Sequence, residues 1–130
     1  MRILIAEDDL ASRMFLSKFL NEYGDCDLTV DGIEAMDAFM MGHDLGKPYD
    51  LICLDIMMPK VDGLRILQLI REIEKQKKIP ESKRVKIIMT TALNDKDTVQ
   101  QAFSAGCEAF ASKPIDTQKM IQVLKSLQLI

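Results

Sequence analysis

At four places in this chain of 130 residues, a polar or charged residue stands immediately after a short apolar run. Glu7, Asp8 and Asp9 follow Ile3-Leu4-Ile5-Ala6, and Asp55 follows Leu51-Ile52-Cys53-Leu54. Thr90 and Thr91 follow Ile87-Ile88-Met89, and Lys113-Pro114 closes Ala109-Phe110-Ala111-Ser112. Brought together, Glu7, Asp8 and Asp55 would crowd three carboxylates, and like charges that close raise one another's pKa or demand a cation. A hard divalent ion meets that demand. Mg2+ prefers oxygen ligands, typically one or two carboxylates with waters and phosphate oxygens. Lys113 would add a point charge and Thr91 a hydroxyl donor, both suited to phosphoryl oxygens. A carboxylate, a metal, a lysine and a hydroxyl are the parts of a phosphoryl transfer in which Asp55 can be the nucleophile, giving an aspartyl phosphate. Ala92, next to Thr91, leaves the approach open.

Each residue also has a plainer reading. Acids at helix starts favour the macrodipole and cap free N–H groups, so Glu7-Asp8-Asp9 by itself marks a helix N-terminus. Lys113 before Pro114 reads equally as surface or site. Asp55 resists this treatment, because Met57-Met58-Pro59 follows it and leaves it no helix to cap. The chemistry therefore rests on joint placement.

Apolar patterning supplies the elements that could place them together. Strands are predicted at residues 2–6, 28–30, 51–54, 85–89 and 109–111. Three of them are continuously apolar, as in strands covered by helices on both faces. Between them lie helical spacings. Phe15, Phe19 and Tyr23 with Leu16 and Leu20 form one stripe over residues 9–23, ended by Gly24. Asp31-Gly32 opens a second helix in which Ala35, Met36, Phe39 and Met40 share a face, broken over residues 42–48. Further helices are predicted at 63–76, 95–105 and 117–127. Strict β/α alternation with short connections implies parallel strands joined by right-handed crossovers, hence an α/β doubly wound sheet with helices on both faces. In such sheets the site forms outside the carboxyl ends of the strands, where the four motifs stand.

Composition narrows the function classes. With 17 Lys and Arg against 20 Asp and Glu, the net charge is −3, which disfavours a nucleic-acid surface. The basic residues Lys75, Lys77, Lys78, Lys83, Arg84 and Lys86 are interrupted by Pro80 and Glu81 and read as solvating a loop. Cys26, Cys53 and Cys107 lack metal-ligand spacing and read as reduced thiols. His43, the single histidine, lies in a Gly-rich loop beside Asp44 and is a poor phosphoryl carrier. No apolar window reaches the length of a membrane span, so one cytoplasmic domain over residues 1–130 is expected.

In order along the chain, Ile3-Leu4-Ile5-Ala6-Glu7-Asp8-Asp9, Asp31-Gly32-Ile33-Glu34-Ala35, Asp55-Ile56-Met57-Met58-Pro59-Lys60-Val61-Asp62-Gly63, Thr91-Ala92 and Phe110-Ala111-Ser112-Lys113-Pro114 resemble the response-regulator receiver domains of two-component signalling. The resemblance covers essentially the whole chain. It implies a flavodoxin-like fold of five parallel strands in the order 2-1-3-4-5 with five helices. It implies that Asp55 accepts a phosphoryl group from a sensor histidine kinase or histidine phosphotransfer protein. Mg2+ would be held by Glu7, Asp8, Asp55 and the backbone carbonyl of Met57, with Asp9 outside the ligand set. Thr91 and Phe110 would be the switch pair, Lys113 would pair with the phosphate, and the Lys113-Pro114 bond would be cis. The responding surface would be the face of the fourth helix, fifth strand and fifth helix, which would bind a downstream protein or a second phosphorylated copy. Neither nucleic acid nor membrane is an expected direct partner, and slow autodephosphorylation is the only enzyme-like activity implied.

Two departures from the family pattern stand out. Phe110 replaces the tyrosine common at the rotating aromatic position, so it has no hydroxyl to bond. Met57 and Leu93, at the variable positions flanking the acceptor, are both apolar and are expected to screen Asp55 from water. The chain ends at Leu129-Ile130 directly after the last helix, as a stand-alone receiver or the N-terminal part of a longer regulator would. Among rivals, a flavin-binding electron carrier needs a Gly/Ser/Thr-rich loop after the first strand, where the acids would repel phosphate. An aspartyl phosphatase needs a second carboxylate where Met57 stands. A receiver used only as a binding module would not require the full set of acids, Thr and Lys.

Overall fold

The computed structural model describes residues 1–92 and 96–130; Leu93 and Asp95, which figure in the expectations above, lie outside the described residues. The elements alternate as β1 (Arg2–Ala6), α1 (Leu10–Leu20), β2 (Asp25–Thr29), α2 (Gly32–Asp44), β3 (Leu51–Asp55), α3 (Gly63–Gln76), β4 (Lys86–Thr91), α4 (Lys96–Ala105), β5 (Ala109–Ser112) and α5 (Thr117–Ser126), with a short 3-10 turn over Glu81–Lys83. All strand pairs are parallel and the order is β2-β1-β3-β4-β5. This is the doubly wound sheet that the alternation predicts.

Successive side chains of a strand face opposite sides, and the continuous apolar runs supply both. Leu4, Ala6, Ile52, Leu54, Ile87 and Met89 pack with Ala35, Phe39, Ile66, Leu67, Ile70 and Ala102 beneath α2, α3 and α4. Ile3, Ile5, Leu51, Cys53 and Ile88 pack with Leu16, Leu20, Met120 and Leu124 beneath α1 and α5. Among the described residues, four helices start on an aspartate whose side chain accepts backbone N–H groups: Asp9 from Ser12, Asp31 from Glu34, Asp62 from Arg65, and Asp116 from Gln118 and Lys119. Each such cap contributes about 1 kcal/mol. The plain reading of the acidic triplet thus holds for Asp9 alone.

Several boundaries differ from those predicted. The second strand begins at Asp25 rather than 28, because pairing of Arg2 through Ala6 with Asp25 through Thr29 sets its length. As an edge strand it carries exposed acids that apolar patterning passes over. Gly42 does not break α2 but lies buried inside it, where an added Cβ would stand 3.0 Å from the carbonyl oxygen of Lys47. A close approach, not a helix stop, accounts for this glycine. Helix α1 ends at Leu20 with Asn21 as its C-cap, and Tyr23 beyond it packs edge-on against Phe19 at 5.8 Å between centroids. Phe15, placed on the buried stripe from spacing, is 45% exposed, and Met40 is also exposed.

Candidate functional site

The carboxyl ends of four strands meet at one edge. Glu7 leaves β1 with its N–H donating to the carbonyl of Thr29 at the end of β2, 3.1 Å away. Asp55 ends β3, and the next N–H, of Ile56, donates to Thr90 on β4. Lys113 follows β5, its N–H donating to the carbonyl of Thr91 at 2.9 Å. Backbone pairing across the sheet therefore sets the spacing of these side chains. Gly63 tightens the edge further: a Cβ there would lie 2.1 Å from the carbonyl oxygen of Asp55, so only glycine lets the start of α3 press against the end of β3.

Glu7, Asp8 and Asp55 each offer a carboxylate oxygen, all within 4.8 Å of one another. Glu7 is fully buried and Asp55 only 3% exposed, whereas Asp8 faces solvent at the mouth. The Lys113 ammonium is ion-paired with Glu7 Oε1 and lies 3.3 Å from Asp55 Oδ2. Glu7 Oε2 accepts the Asp9 N–H at 3.1 Å, and Asp55 Oδ1 accepts the Met57 N–H at 3.3 Å. Arg13, one helical turn into α1, donates to the carbonyls of Glu7 at 2.9 Å and Asp8 at 3.2 Å. It holds the turn that presents both acids, a role that its position on an amphipathic helix did not signal.

Burial pushes the Asp55 carboxyl up, the charge and hydrogen bond of Glu7 push it further, and Lys113 only partly opposes them. The result is about 7. Burial also acts to raise Glu7, but hydrogen bonds with Asp55, Lys113 and the Asp9 N–H outweigh it and leave Glu7 below its ordinary value. Burial would lower Lys113, yet its two carboxylate partners raise it. The metal-free site thus favours the protonated form of Asp55 more than an exposed carboxylate would, and a protonated carboxyl is a poor nucleophile. A cation at the mouth would expel that proton. The donor set suits such an ion: carboxylate oxygens only, no thiol or imidazole, and an exposed Asp8 that leaves positions for water or phosphoryl oxygens.

The remaining predicted residues fall around this center. Thr91 is fully buried at the end of β4. Met57 stands just beyond Asp55 with its side chain 59% exposed, and it lines a cleft with Asp8, Pro59 and Thr98. Phe110 is half-buried on β5 against the core beneath α4. It also borders a cleft of about 400 Å3 running between β5 and α5. The Lys113–Pro114 peptide bond is cis.

Residues 3–125 match the family described as the response regulator receiver domain. The chain belongs to this family. Chemotaxis protein CheY of Treponema pallidum is 29% identical to it over 97% of this chain and 81% of that protein. Hybrid signal transduction histidine kinase L of Dictyostelium discoideum is 35% identical over 95% of this chain but only 7% of its own length. This receiver domain spans 7% to 12% of the length of the first three curated relatives it matches. Among solved structures, the CheX–CheY–BeF3–Mg complex from Borrelia burgdorferi superposes with a TM-score of 0.84 at 27% identity, covering 98% of this chain and 89% of that one. The receiver domain complex of Saccharomyces cerevisiae, histidine phosphotransfer protein Ypd1 with response regulator Ssk1, gives 0.83 at 25% identity, covering 100% and 92%. The protein is thus a receiver domain of two-component signalling. No helix among the described residues is long and apolar enough to cross a membrane.

Proposed function

We propose that Asp55 is the phosphoacceptor of this receiver domain, taking its phosphoryl group from a histidine of a sensor kinase or histidine phosphotransfer protein with Mg2+ bound by Glu7, Asp8, Asp55 and the Met57 carbonyl. In the transfer, an Asp55 carboxylate oxygen bonds to phosphorus, the phosphorus–nitrogen bond breaks, and the leaving imidazole takes up a proton. When bound, Mg2+ would supply positive charge that offsets the negative charge of the carboxylates and the incoming phosphoryl group. Lys113, already 3.3 Å from Asp55, pairs with the same oxygens, and the Thr91 hydroxyl donates to them. The observation that carries this reading is one buried carboxylate, Asp55, ringed by two acids and a lysine at a solvent-open sheet edge.

The signal leaves through α4, β5 and α5, where Phe110 follows Thr91 inward and the β5–α5 cleft changes shape. The recipient is a downstream protein or a second phosphorylated copy, in the cytoplasm, with no direct contact to nucleic acid or membrane. Autodephosphorylation is the domain's only turnover. Support comes from relatives whose structures pair a receiver with BeF3 and Mg, or with a phosphotransfer protein. The test is incubation with Mg2+ and a small phosphodonor, or with beryllium fluoride, read by intact mass and amide NMR. Modification of wild type, abolished in Asp55→Asn and by EDTA, is expected. A response that persists in Asp55→Asn overturns the assignment, and no response in wild type favours a binding module without phosphorylation.

A further inference from the structure

The opposite end of the sheet has its own chemistry. Residues 75–86, which join α3 to β4, carry six cations and one acid, so in a chain of net charge −3 the remaining residues carry a net −8. Among the described residues, none of Lys75, Lys77, Lys78, Lys83, Arg84 and Lys86 forms an ion pair. The salt bridges found use Arg2, Lys60, Arg71 and Lys113 instead. Unneutralised cations are therefore concentrated on one connection, at the edge of the sheet opposite Asp55. A loop that merely needs solvating does not need six uncompensated like charges, which repel one another.

These cations border a cavity. Lys83, Arg84 and Lys86 line a cleft of about 580 Å3 whose other walls include the Leu127 and Leu129 segment after α5. The only acid among its lining residues, Asp50, already accepts the backbone N–H of Arg2 at 2.8 Å. Arg84 keeps one N–H on the carbonyl of Ile79 at 3.1 Å, which holds its guanidinium at the rim.

We infer that this cleft, at the amino ends of the strands and away from Asp55, is a docking surface for an acidic segment of a partner protein that carries aliphatic side chains among its carboxylates. Charge complementarity selects the acidic segment, since three rim cations with no carboxylate partner among the described residues gain from opposite charge. The leucines of the far wall select the aliphatic side chains. Concavity favours this partner over two other polyanions: a cleft of this volume can seat individual side chains of an extended segment, which neither a duplex backbone nor a flat bilayer offers. The surface would let the receiver hold a partner through one end while the other is phosphorylated.

The experiment is an amide NMR titration of the full chain with a peptide of Asp and Glu interspersed with leucines. Parallel arms use the same peptide with leucine replaced by serine, a DNA duplex, and anionic phospholipid vesicles. Shifts confined to Ser82 through Lys86 and Leu127 through Leu129 are expected, with affinity falling about tenfold or more in Lys83→Glu/Lys86→Glu. Should that variant fail to fold, Lys83→Gln/Lys86→Gln is expected to show a smaller loss in the same direction. Asp55→Asn is expected to bind the peptide as wild type does, which separates this result from any failure of the phosphoacceptor assignment. Absence of shifts there, equal binding of the serine peptide, or tighter binding of duplex or vesicles overturns the inference.

Discussion

Asp55 is costly to the fold in the form that chemistry needs. Its carboxyl, pushed to about 7 by burial and by Glu7, binds more protons folded than unfolded between its ordinary value near 4 and about 7. Across that window stability falls as pH rises, and at higher pH the full cost of the buried charge is present. The lowered Glu7 acts in the opposite sense, below its own ordinary value. In EDTA, urea unfolding is therefore expected to show stability declining from about pH 4 to pH 7 in wild type. Asp55→Asn should flatten that slope and gain about 1–3 kcal/mol at pH 8. A flat wild-type profile would show that Lys113 fully compensates the charge. Magnesium binding below pH 7 should release a proton, visible as buffer-dependent heat in calorimetry. Met57 bears on loss of the phosphoryl group. Its exposed, apolar side chain beside the proposed acceptor is expected to obstruct attacking water, so Met57→Asn should speed that loss severalfold in a dephosphorylation time course.

At the scale of elements, the turn between β1 and α1 and the loop between β5 and α5 together frame the way in to Asp55. On α1, Leu10, Met14 and Phe15 are exposed, and Phe15 lines a cleft with Ala11, Pro114 and Ile115 that opens beside Lys113. An apolar surface there costs solubility unless a partner covers it, and under the proposed function a donor protein docking near Asp55 would meet it. Phe15→Ala is expected to slow phosphotransfer from a histidine phosphotransfer protein about tenfold or more, by loss of an aromatic anchor, while leaving modification by a small phosphodonor unchanged. Equal slowing with both donors would show that Phe15 supports the fold rather than the encounter. The spacing that placed Phe15 on a buried stripe was sound as periodicity. What it lacked was the position of α1 on the sheet, which leaves Leu16 and Leu20 inside and turns Phe15 outward.

For the whole molecule, the amino end of the sheet is secured by one network. The Arg71 guanidinium donates to Glu74 at 2.7 Å, to both Glu108 oxygens at 3.0 and 2.9 Å, and to the carbonyls of Gly106 and Val85. Glu74, fully buried, in turn accepts the Val85 N–H, and Glu108 accepts that of Ile87. This ties α3, β4 and the entry to β5 together. Arg71→Ala leaves Glu74 buried without its cation and is expected to cost about 3–5 kcal/mol in urea unfolding. Nothing in the sequence marked Arg71, since its partners lie 3, 14, 35 and 37 residues away. Sequence alone determined the alternation of strands and helices, the parallel sheet and the residues at its carboxyl edge, because those depend on local periodicity and on the rule that sites gather at strand ends. That Glu7, Asp8, Asp55, Thr91 and Lys113 stand at that edge, as a candidate site, was legible for that reason. Tertiary structure alone decided the length of the edge strand, the outward face of α1, the grip of Arg13 on the acidic turn and the raised proton affinity of Asp55. Each depends on which distant groups are brought within hydrogen-bond or Coulomb range, and on how much water is removed from around them.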